Sequence, residues 1–374
     1  MRALSTGIPS RFCAITGAMK KTKSVSSPAR PLYALLLAAV VLLLWLLAQP
    51  RPGVRILRLK PILAPEADSP VPAVPGRLRI ATYNLEHFTD GRRDGPERTP
   101  DVFIAHAQAA AEIIAEADSD ILLLQEVENG RVLEFLNEQF ESPYACIYLT
   151  KLHQSSGAKD KLNLALLSRL RPVHVRQLGF HRLAGSARPA RGTLAAEFDL
   201  GGGSRLLTYN IHLKSNFGEA PRNQAQRGIA LHHIAADAIA ETCQNAFATN
   251  NTFTLILGDT NVDPETAAFA TDPSLEPLAG AFADLWLGRP IGERTTIPTR
   301  QAGDAGDPLL VFPPSAFDRI FASRNLTGAG PWRVSPPQAI QRGTDTTNNL
   351  TPPGVNGHVS DHHLVYVDLT RSVP

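Results

Sequence analysis

Tyr83–Glu86 (YNLE), Leu257–Asn261 (LGDTN) and Ser360–His363 (SDHH) are the three runs of sequence that decide the fold of this chain. Each lies where an apolar, β-branched stretch begins or ends, so each places short polar side chains where a strand meets a loop. A rigid scaffold commonly presents its catalytic groups at such strand ends. The three runs therefore predict one polar site built from distant parts of the chain.

Three further runs follow the same rule: Leu124–Glu126 (LQE), Asn210–Ser215 (NIHLKS) and Phe317–Ile320 (FDRI). Together the strand ends supply carboxylates, amides and imidazoles in order along the chain. These groups are Glu86, Glu126, Asp259, Asp318, Asp361, Asn84, Asn210, Asn261, His212 and His362. Such a set, rich in hard oxygen ligands, suits Mg²⁺ or Mn²⁺ and a phosphate ester.

Strands and helices interleave along the chain, and from periodicity alone only an α/β class follows. Gly201–Gly203 indicates a hairpin between two of the strands. Strands are expected at Arg77–Asn84, Asp120–Glu126, Leu162–Ser168, Thr193–Leu200, Arg205–His212, Phe253–Leu257, Ala316–Ala322 and Leu364–Leu369. Helices are expected at Phe103–Ala117, Arg131–Gln139 and Asn223–Thr242.

The N-terminal region differs in composition from the rest of the chain. Residues 1–30 are basic, and residues 31–50 contain an unbroken apolar run that is long enough, at ~1.5 Å per residue, to span a bilayer. No Ala-x-Ala cleavage signal follows, so an uncleaved anchor is favoured over a cleaved signal peptide. The basic residues before the run predict a periplasmic or extracellular domain, although Arg51–Lys60 adds basic residues on the other side. Residues 51–76 are expected to be a Pro-rich linker, and residues 77–370 the enzyme domain.

Composition excludes several classes of protein. The formal net charge of +2 gives no global basic field that would demand nucleic acid. Three cysteines exclude a disulfide scaffold and a Cys-rich zinc site. Cys146 and Cys243 lie in the expected domain, where they either pair or remain free in the core.

The ordered set of strand-end motifs resembles the endonuclease/exonuclease/phosphatase superfamily, which includes DNase I, exonuclease III, apurinic endonucleases, neutral sphingomyelinases and inositol-polyphosphate 5-phosphatases. The resemblance runs from about Arg77 to Leu369 and points to a membrane-anchored bacterial type. It implies a four-layer sandwich of two packed mixed β-sheets flanked by helices, with the site at one edge, and a protein that acts as a monomer.

The resemblance also implies a metal site. Glu126 looks like the principal Mg²⁺ (or Mn²⁺) ligand, and Asn84 matches the asparagine that joins the metal shell or orients the phosphate. Glu86 is similar to the second acidic ligand of some members, the alternative being a solvated side chain. Asp361 resembles a metal-shell carboxylate.

The acid–base groups follow from the same resemblance. Asp259 would orient or deprotonate the attacking water and Asn261 would hold the phosphate, although both residue types also form simple Asx-turns. His362 would be an acid–base histidine whose tautomer Asp318 fixes. His363 is the alternative histidine and is expected to turn into the core.

His212 discriminates between branches of the superfamily, because in the DNase I branch a histidine here contacts the phosphate and assists leaving-group protonation. No glutamate partner for this histidine can be identified in the sequence. Arg191 resembles a phosphate-contacting arginine and Lys214 could neutralise phosphate. The alternatives are a loop arginine and a surface lysine without a role.

The expected function is metal-dependent phosphodiester hydrolysis with a nucleic acid as substrate. Two other classes stay open: a phosphoesterase acting on lipid or inositol phosphate, and a non-catalytic membrane-tethered binding module. Trp286 and Trp332 are expected in the core rather than at a bilayer surface. The sequence does not name the substrate.

Overall fold

The computed structural model describes residues 53–66, 74–154, 156–243, 251–300 and 313–372. These residues belong to a compact unit that runs from Pro52 to Pro374. The expected anchor at residues 31–50 lies outside the described residues. Among the helices that are described, none combines the length and the apolar composition needed to cross a bilayer.

Two mixed β-sheets form the centre of the described structure. Sheet I has the order β1 (Arg55–Arg58), β6 (His174–Gly179), β7 (Thr193–Gly201), β8 (Ser204–His212), β9 (Thr252–Asp259), β11 (Asp318–Ser323) and β10 (Phe282–Asp284). Sheet II has the order β12 (Trp332–Val334), β14 (Leu364–Arg371), β2 (Arg77–Phe88), β3 (Ile121–Val127), β5 (Asn163–Ser168) and β4 (Cys146–Leu149), and β13 (Gln338–Ile340) also pairs with β14. The pairs β2–β3 and β8–β9 are parallel, whereas their neighbours in each sheet are antiparallel.

Helices cover the outer face of each sheet. The main ones are α1 (Pro100–Ala117), α2 (Gly130–Glu138) and α3 (Ala220–Cys243), and three single-turn helices follow: α4 (Glu276–Ala279), α5 (Ile291–Arg294) and α6 (Arg324–Thr327). Helices α1 and α2 share an apolar cluster with sheet II, and α3 shares one with sheet I. The layers therefore run helix, sheet, sheet, helix, as expected.

The main core lies between the sheets and follows the alternation of each strand. On β2, Leu78 and Ile80 point into this core while Ala81 and Tyr83 point toward the helices. Strand β9 likewise sends Leu255 inward. Because a strand alternates strictly, the polar residues that end these strands continue the inner face, and they come together at one edge of the sandwich.

Asn210 of β8 joins the two sheets across this core. Its amide donates to the carbonyl oxygens of Leu124 at 2.9 Å and Ala165 at 3.0 Å, and its Oδ1 accepts a hydrogen bond of 2.6 Å from Gln125 Nε2. The register between β3 and β5 shifts between Leu124 and Val127, so the ladder there is interrupted. The amide of Asn210 therefore satisfies buried carbonyls beside an irregularity in sheet II.

The expected linker at residues 51–76 is wrong over residues 55–63. Arg55–Arg58 pairs with β6 at the edge of sheet I, and Leu63 then forms an antiparallel bridge with Ile147 of β4 in sheet II. Leu59 between them is buried. The backbone of this segment therefore extends both sheets, which the frequency of proline in the sequence did not predict.

Several other expectations are settled by the described residues. The hairpin through Gly201–Gly203 is confirmed, since β7 and β8 pair antiparallel on either side of it. Trp286 and Trp332 are both buried, as expected. Cys146 is a buried free thiol. Helix α1 begins three residues earlier than periodicity predicts, because Thr99 caps it by accepting a hydrogen bond from the Val102 N–H.

The contact between the sheets gives a first prediction. Replacing Asn210 with alanine should lower the free energy of unfolding by about 2–4 kcal/mol, because two buried carbonyl groups and the Gln125 amide lose their partner. Chemical denaturation of purified protein measures this. The control is Asn325→Ala, which removes two part-buried bonds, one donated to the Thr252 carbonyl oxygen at 2.9 Å and one accepted from Ser323 Oγ at 2.6 Å, and should cost about 1–2 kcal/mol. Equal losses in the two variants would contradict a special role for Asn210.

Candidate active site at the edge of the sandwich

Three site residues lie side by side at the edge of sheet I. His212 ends β8, Asp259 ends β9 and Asp318 begins β11. The register pairs His212 with Asp259 across the parallel strands, and Asp318 with Asp259 across the antiparallel ones. Gly258 permits this packing, because a Cβ there would lie 2.1 Å from the Ile211 carbonyl oxygen. The three polar side chains are buried where the apolar inner face ends.

Sheet II contributes residues from irregular strand ends. The pairing of β2 with β3 slips between Asn84 and Phe88. Glu86 and Glu126 have φ angles of +46° and +64°, in the left-handed region that non-glycine residues rarely adopt. Bulges of this kind re-aim side chains, and strain of this kind concentrates at functional sites. Here the slips direct two carboxylates toward the polar edge, and the Glu126 carboxylate accepts a hydrogen bond of 2.8 Å from the His87 N–H.

His362 and Asp318 form a buried pair. The Nδ1 atom of His362 lies 2.7 Å from Asp318 Oδ2. The backbone N–H of His362 donates to Ser360 Oγ at 3.0 Å, and that hydroxyl donates to the Asn84 carbonyl oxygen at 2.7 Å. The last strand is thereby tied to β2, and the ring of His362 turns its Nε2 edge to Asp361, whose Oδ1 lies 3.7 Å away.

The two site histidines have opposite pKa shifts. Burial alone would lower the pKa of His362, but the carboxylates of Asp318 and Asp361 outweigh it and raise that pKa well above the ordinary value. Burial and the Arg191 guanidinium hold the pKa of His212 well below its ordinary value. At neutral pH the first imidazole is therefore charged and the second is neutral.

His212 faces a guanidinium and two carboxylates through one nitrogen. Its Nε2 lies 3.1 Å from Arg191 Nη1, 3.5 Å from Glu126 Oε1 and 3.4 Å from Asp259 Oδ2. A guanidinium can only donate, so Nε2 accepts from Arg191. The buried Nδ1 has no hydrogen-bond partner among the described residues. Among the described residues, no glutamate therefore pairs with Nδ1 of this ring, and the glutamate that lies near it is Glu126, at Nε2.

Asp259 is held by amides. The Asn261 backbone N–H and side-chain amide donate to its two oxygens, each at 2.8 Å, and the Asn84 amide donates to Oδ2 at 3.3 Å. The same Asn84 nitrogen lies 3.4 Å from His362 Nε2. The Asx-turn formed by Asp259 and Asn261 is therefore part of the polar site, because the turn directs the Asn261 amide toward the Asp259 carboxylate.

Glu86 contacts two residues that sequence reasoning missed. Its Oε2 lies 2.7 Å from His358 Nε2 and accepts a hydrogen bond of 2.7 Å from the Asp361 N–H. Arg300 Nη1 lies 3.9 Å from Glu86 Oε1 and 4.0 Å from Asp361 Oδ2. His358 stands two residues before Ser360 and four before His362, a spacing that could have identified it. Arg300 lies in a stretch without any motif, so the sequence held no signal for it.

The carboxylates of this edge outnumber the cations that balance them. Burial raises the pKa of Glu86, Asp259 and Asp361, each to about 7, and neighbouring carboxylates contribute to the shift. Burial would also raise the pKa of Glu126, but His212, His87 and Arg191 outweigh it and lower this pKa to about 2. Buried carboxylates that resist ionisation are what a divalent cation would stabilise, so the donor set fits Mg²⁺ or Mn²⁺.

A second acidic group includes Glu128, two residues after Glu126. Asp90, Asp94 and Glu128 have ligand atoms within 4.8 Å of one another, the only such group of three within the described ranges. The predicted ligands Glu126, Glu86 and Asp361 are not gathered that tightly. Lys161 already offsets part of the charge, since its ammonium lies 3.0 Å from Asp94 Oδ1.

Lys214 and His363 both contact backbone carbonyl oxygens. Lys214 donates to the carbonyl oxygens of Ser215 at 3.0 Å and Phe217 at 2.8 Å, so its ammonium braces its own loop rather than facing the carboxylates. His363 is buried, with Nδ1 3.2 Å from the Thr295 carbonyl oxygen, as expected for a histidine turned into the core.

The His362–Asp318 pair gives a second prediction, for metal-free protein. A histidine whose pKa is raised by folding stabilises the fold fully below its unfolded pKa of about 6.5, and this contribution is lost as the pH rises through the folded pKa. Asp318→Asn should therefore lower the free energy of unfolding by about 3 kcal/mol at pH 6 and by clearly less at strongly alkaline pH. Denaturation curves over a pH series measure the difference.

The control variant is Asp368→Asn. Burial opposes the shift, but Arg79 and Arg77 lower the pKa of Asp368. Its contribution is present above the unfolded pKa and is lost as the pH falls through the folded pKa, so the effect of this variant should shrink toward acid. A loss in Asp318→Asn that grew with rising pH would contradict the charged state assigned to His362.

Comparison with known proteins agrees with this architecture. A truncated TDP2 from Caenorhabditis elegans is 18% identical, with 79% of this chain and 98% of that chain covered and a TM-score of 0.52. Endonuclease/exonuclease/phosphatase proteins from Beutenbergia cavernae (16% identity, 79% and 72% covered, TM-score 0.50) and Bacteroides thetaiotaomicron (16%, 80% and 99%, 0.50) have the same fold. No curated protein matches the sequence significantly. The profile of the Endonuclease/Exonuclease/phosphatase family matches residues 81–362, and the chain belongs to this family.

Proposed function

We propose that this protein is a metal-dependent phosphodiesterase that cleaves nucleic acid. Members of its family are generally hydrolases that act on phosphoester bonds. The observation that carries the proposal is the 2.7 Å pair of His362 and Asp318, which turns a charged imidazole toward Asp259 at an edge where Glu126 also lies. Phosphodiester hydrolysis needs an activated water, stabilisation of phosphoryl charge and help for the leaving oxygen.

Four side chains would hold the divalent cation. Glu126 is ionised and faces the site, and Glu86, Asp361 and Asn84 surround the same edge. When bound, Mg²⁺ or Mn²⁺ supplies positive charge to the phosphoryl oxygens. Family members typically depend on such an ion.

Asp259 is the proposed base. Burial raises the pKa of Asp259 above that of an ordinary aspartate, which makes its carboxylate a stronger base. The amides of Asn261 and Asn84 hold the carboxylate in one orientation. Both N–H groups of the Asn261 amide are used, by Asp259 and the Leu213 carbonyl oxygen, whereas the Asn84 amide has a second N–H from which a phosphoryl oxygen can accept.

The two histidines divide the remaining work. His362 is the cationic member, so it stabilises the phosphoryl charge and can give up its Nε2 proton, while Asp318 holds the tautomer. His212 is neutral and accepts from Arg191, and together they face the same carboxylates. We therefore assign phosphate contact to Arg191, which His212 holds in place through Nε2, and proton donation chiefly to His362.

The substrate class rests on the resemblance of His212 to the DNase I branch. The second candidate is a phospholipid or inositol phosphate, which the same groups could hydrolyse. The apolar run at residues 31–50 favours that alternative, because an anchor would place the site near lipid headgroups. We also propose that this run holds the enzyme at a membrane, with the domain outside the cytoplasm.

Metal dependence is the third prediction. Treatment of the full-length protein with EDTA should abolish hydrolysis, and Mg²⁺ or Mn²⁺ should restore it, because the ligands are hard oxygen donors without thiolates. The assay uses plasmid DNA, single-stranded DNA, RNA, sphingomyelin and phosphatidylinositol phosphates. Glu126→Gln should stay inactive at the metal concentration that restores the wild type. Full activity without metal would overturn the mechanism, and activity on the lipids alone would select the second candidate.

The histidines give the fourth prediction. His362→Ala should lower kcat by about 10²–10⁴-fold, the usual range for an acid–base group. His212→Ala should lower kcat by about 10²-fold, because Arg191 loses the partner that holds it in place. The double variant should lose much less than the product of the two losses, since groups that act as a unit are not additive. Turnover is measured on the substrate that the assay identifies.

His363→Ala is the matched control, since it removes the neighbouring imidazole of the same motif. It should leave kcat within a few fold and lower stability, because His363 is buried against the Thr295 carbonyl oxygen. A silent His362→Ala beside a damaging His363→Ala would show that the motif is assigned in the wrong register. A silent His212→Ala would leave the DNase I-like assignment without support.

A further inference from the structure

His358 connects a loop to the base of the site. Its ring is fully buried, at 0% exposure, and both of its nitrogens have partners. Nδ1 accepts a hydrogen bond of 3.1 Å from the Asp345 backbone N–H. Nε2 lies 2.7 Å from Glu86 Oε2. The imidazole thus bridges the segment that contains Asp345 to a carboxylate that is predicted to bind metal.

The two contacts fix the tautomer of His358. A backbone N–H can only donate, so Nδ1 must be the unprotonated acceptor. The single ring proton then lies on Nε2, from which it is donated to Glu86 at 2.7 Å. Arg300 Nη2, 3.5 Å from the same nitrogen, faces a protonated atom to which it cannot donate. The ring is therefore a donor of fixed direction, supplied by an element that lies far from Glu86 in the sequence.

This donor leaves one oxygen of Glu86 for another ligand. Oε2 accepts one hydrogen bond from His358 Nε2 and another, of 2.7 Å, from the Asp361 N–H. Among the described residues, the group that faces Oε1 is the Arg300 guanidinium, at 3.9 Å, beyond the length of a hydrogen bond. His358 therefore determines which Glu86 oxygen faces the site, on a residue whose backbone is already left-handed.

We propose that His358 is a positioning residue that presents Glu86 Oε1 to the divalent cation and, through the shared oxygen Oε2, holds the backbone of Asp361 beside it. The inference rests on the proposed function, in which Glu86 and Asp361 help to hold that ion. Hydrogen-bond partners of ligating side chains typically change metal affinity by about 10–100-fold when they are removed.

Two substitutions separate this role from simple support of the loop. In His358→Asn, the amide oxygen can take the place of Nδ1 and accept from the Asp345 N–H, while the donor to Glu86 is lost. In His358→Gln, the longer amide can place a nitrogen near the position of Nε2 and donate to Glu86, while the acceptor for Asp345 is lost. The experiment measures Mn²⁺ binding to the full-length protein by electron paramagnetic resonance, and Tm in parallel.

We expect His358→Asn to raise the Kd for Mn²⁺ by about 10–100-fold with little change in Tm. His358→Gln should keep the Kd within about threefold of the wild type and lower Tm instead. In a Glu86→Gln background, His358→Asn should weaken binding no further, because the carboxylate through which it acts is gone.

The opposite order of the two variants, or equal Kd values in the wild type and His358→Asn, would overturn the role of His358. Loss of affinity in His358→Gln would do so even if His358→Asn did not fold. Glu126→Gln separates this failure from failure of the proposed function. If Glu126→Gln weakens Mn²⁺ binding and His358→Asn does not, only the inference on His358 fails, whereas a wild-type protein that binds no Mn²⁺ overturns both.

Discussion

The structure depends on one buried amide. Asn210 spans the two sheets and satisfies the carbonyl oxygens of Leu124 and Ala165 beside the point where the β3–β5 ladder slips. An unpaired buried carbonyl costs free energy comparable to a lost hydrogen bond, so sheet II can tolerate the slip because sheet I supplies the donors. The slip in turn lets Glu126 adopt a left-handed backbone and turn into the polar edge. The hydrogen bonds of Asn210 that join the two sheets therefore also allow Glu126 to reach the site.

Placing several carboxylates together at this edge costs electrostatic free energy. Removal from water raises the pKa of three carboxylates to about 7, the buried Asp259 and the partly buried Glu86 and Asp361, although Arg300 and the charged ring of His362 lie close to them. Buried charges are normally paired, and perturbed carboxylates crowded at one edge are typical of functional sites. The excess negative charge is consistent with a bound cation in the active protein. A cation that neutralised this charge would stabilise the fold, so metal binding would be linked to stability.

The sequence predicted the polar edge well because strand alternation is a local property. The apolar run Phe253–Leu257 is a strand by its own residues, so Asp259 could be placed at the end of that strand from the sequence. The same reasoning failed for Arg55–Arg58, whose pairing with β6 depends on a partner more than a hundred residues away. It also failed for Lys214, because the loop that captures its ammonium closes only in the folded chain.

The sequence by itself determined the layered α/β class, the ends of the strands that carry chemistry, and the residue types that suit a divalent cation and a phosphate ester. These features are local, since they follow from alternation and from the chemistry of single side chains. The resemblance of the motifs implied the pairing of Asp318 with His362, which the structure shows at 2.7 Å. Only the tertiary structure decided that Arg191 faces His212, and that His358 and Arg300 stand behind Glu86. Each of these contacts joins segments whose approach depends on the register of two sheets and the closure of loops, and no local pattern encodes such a distance.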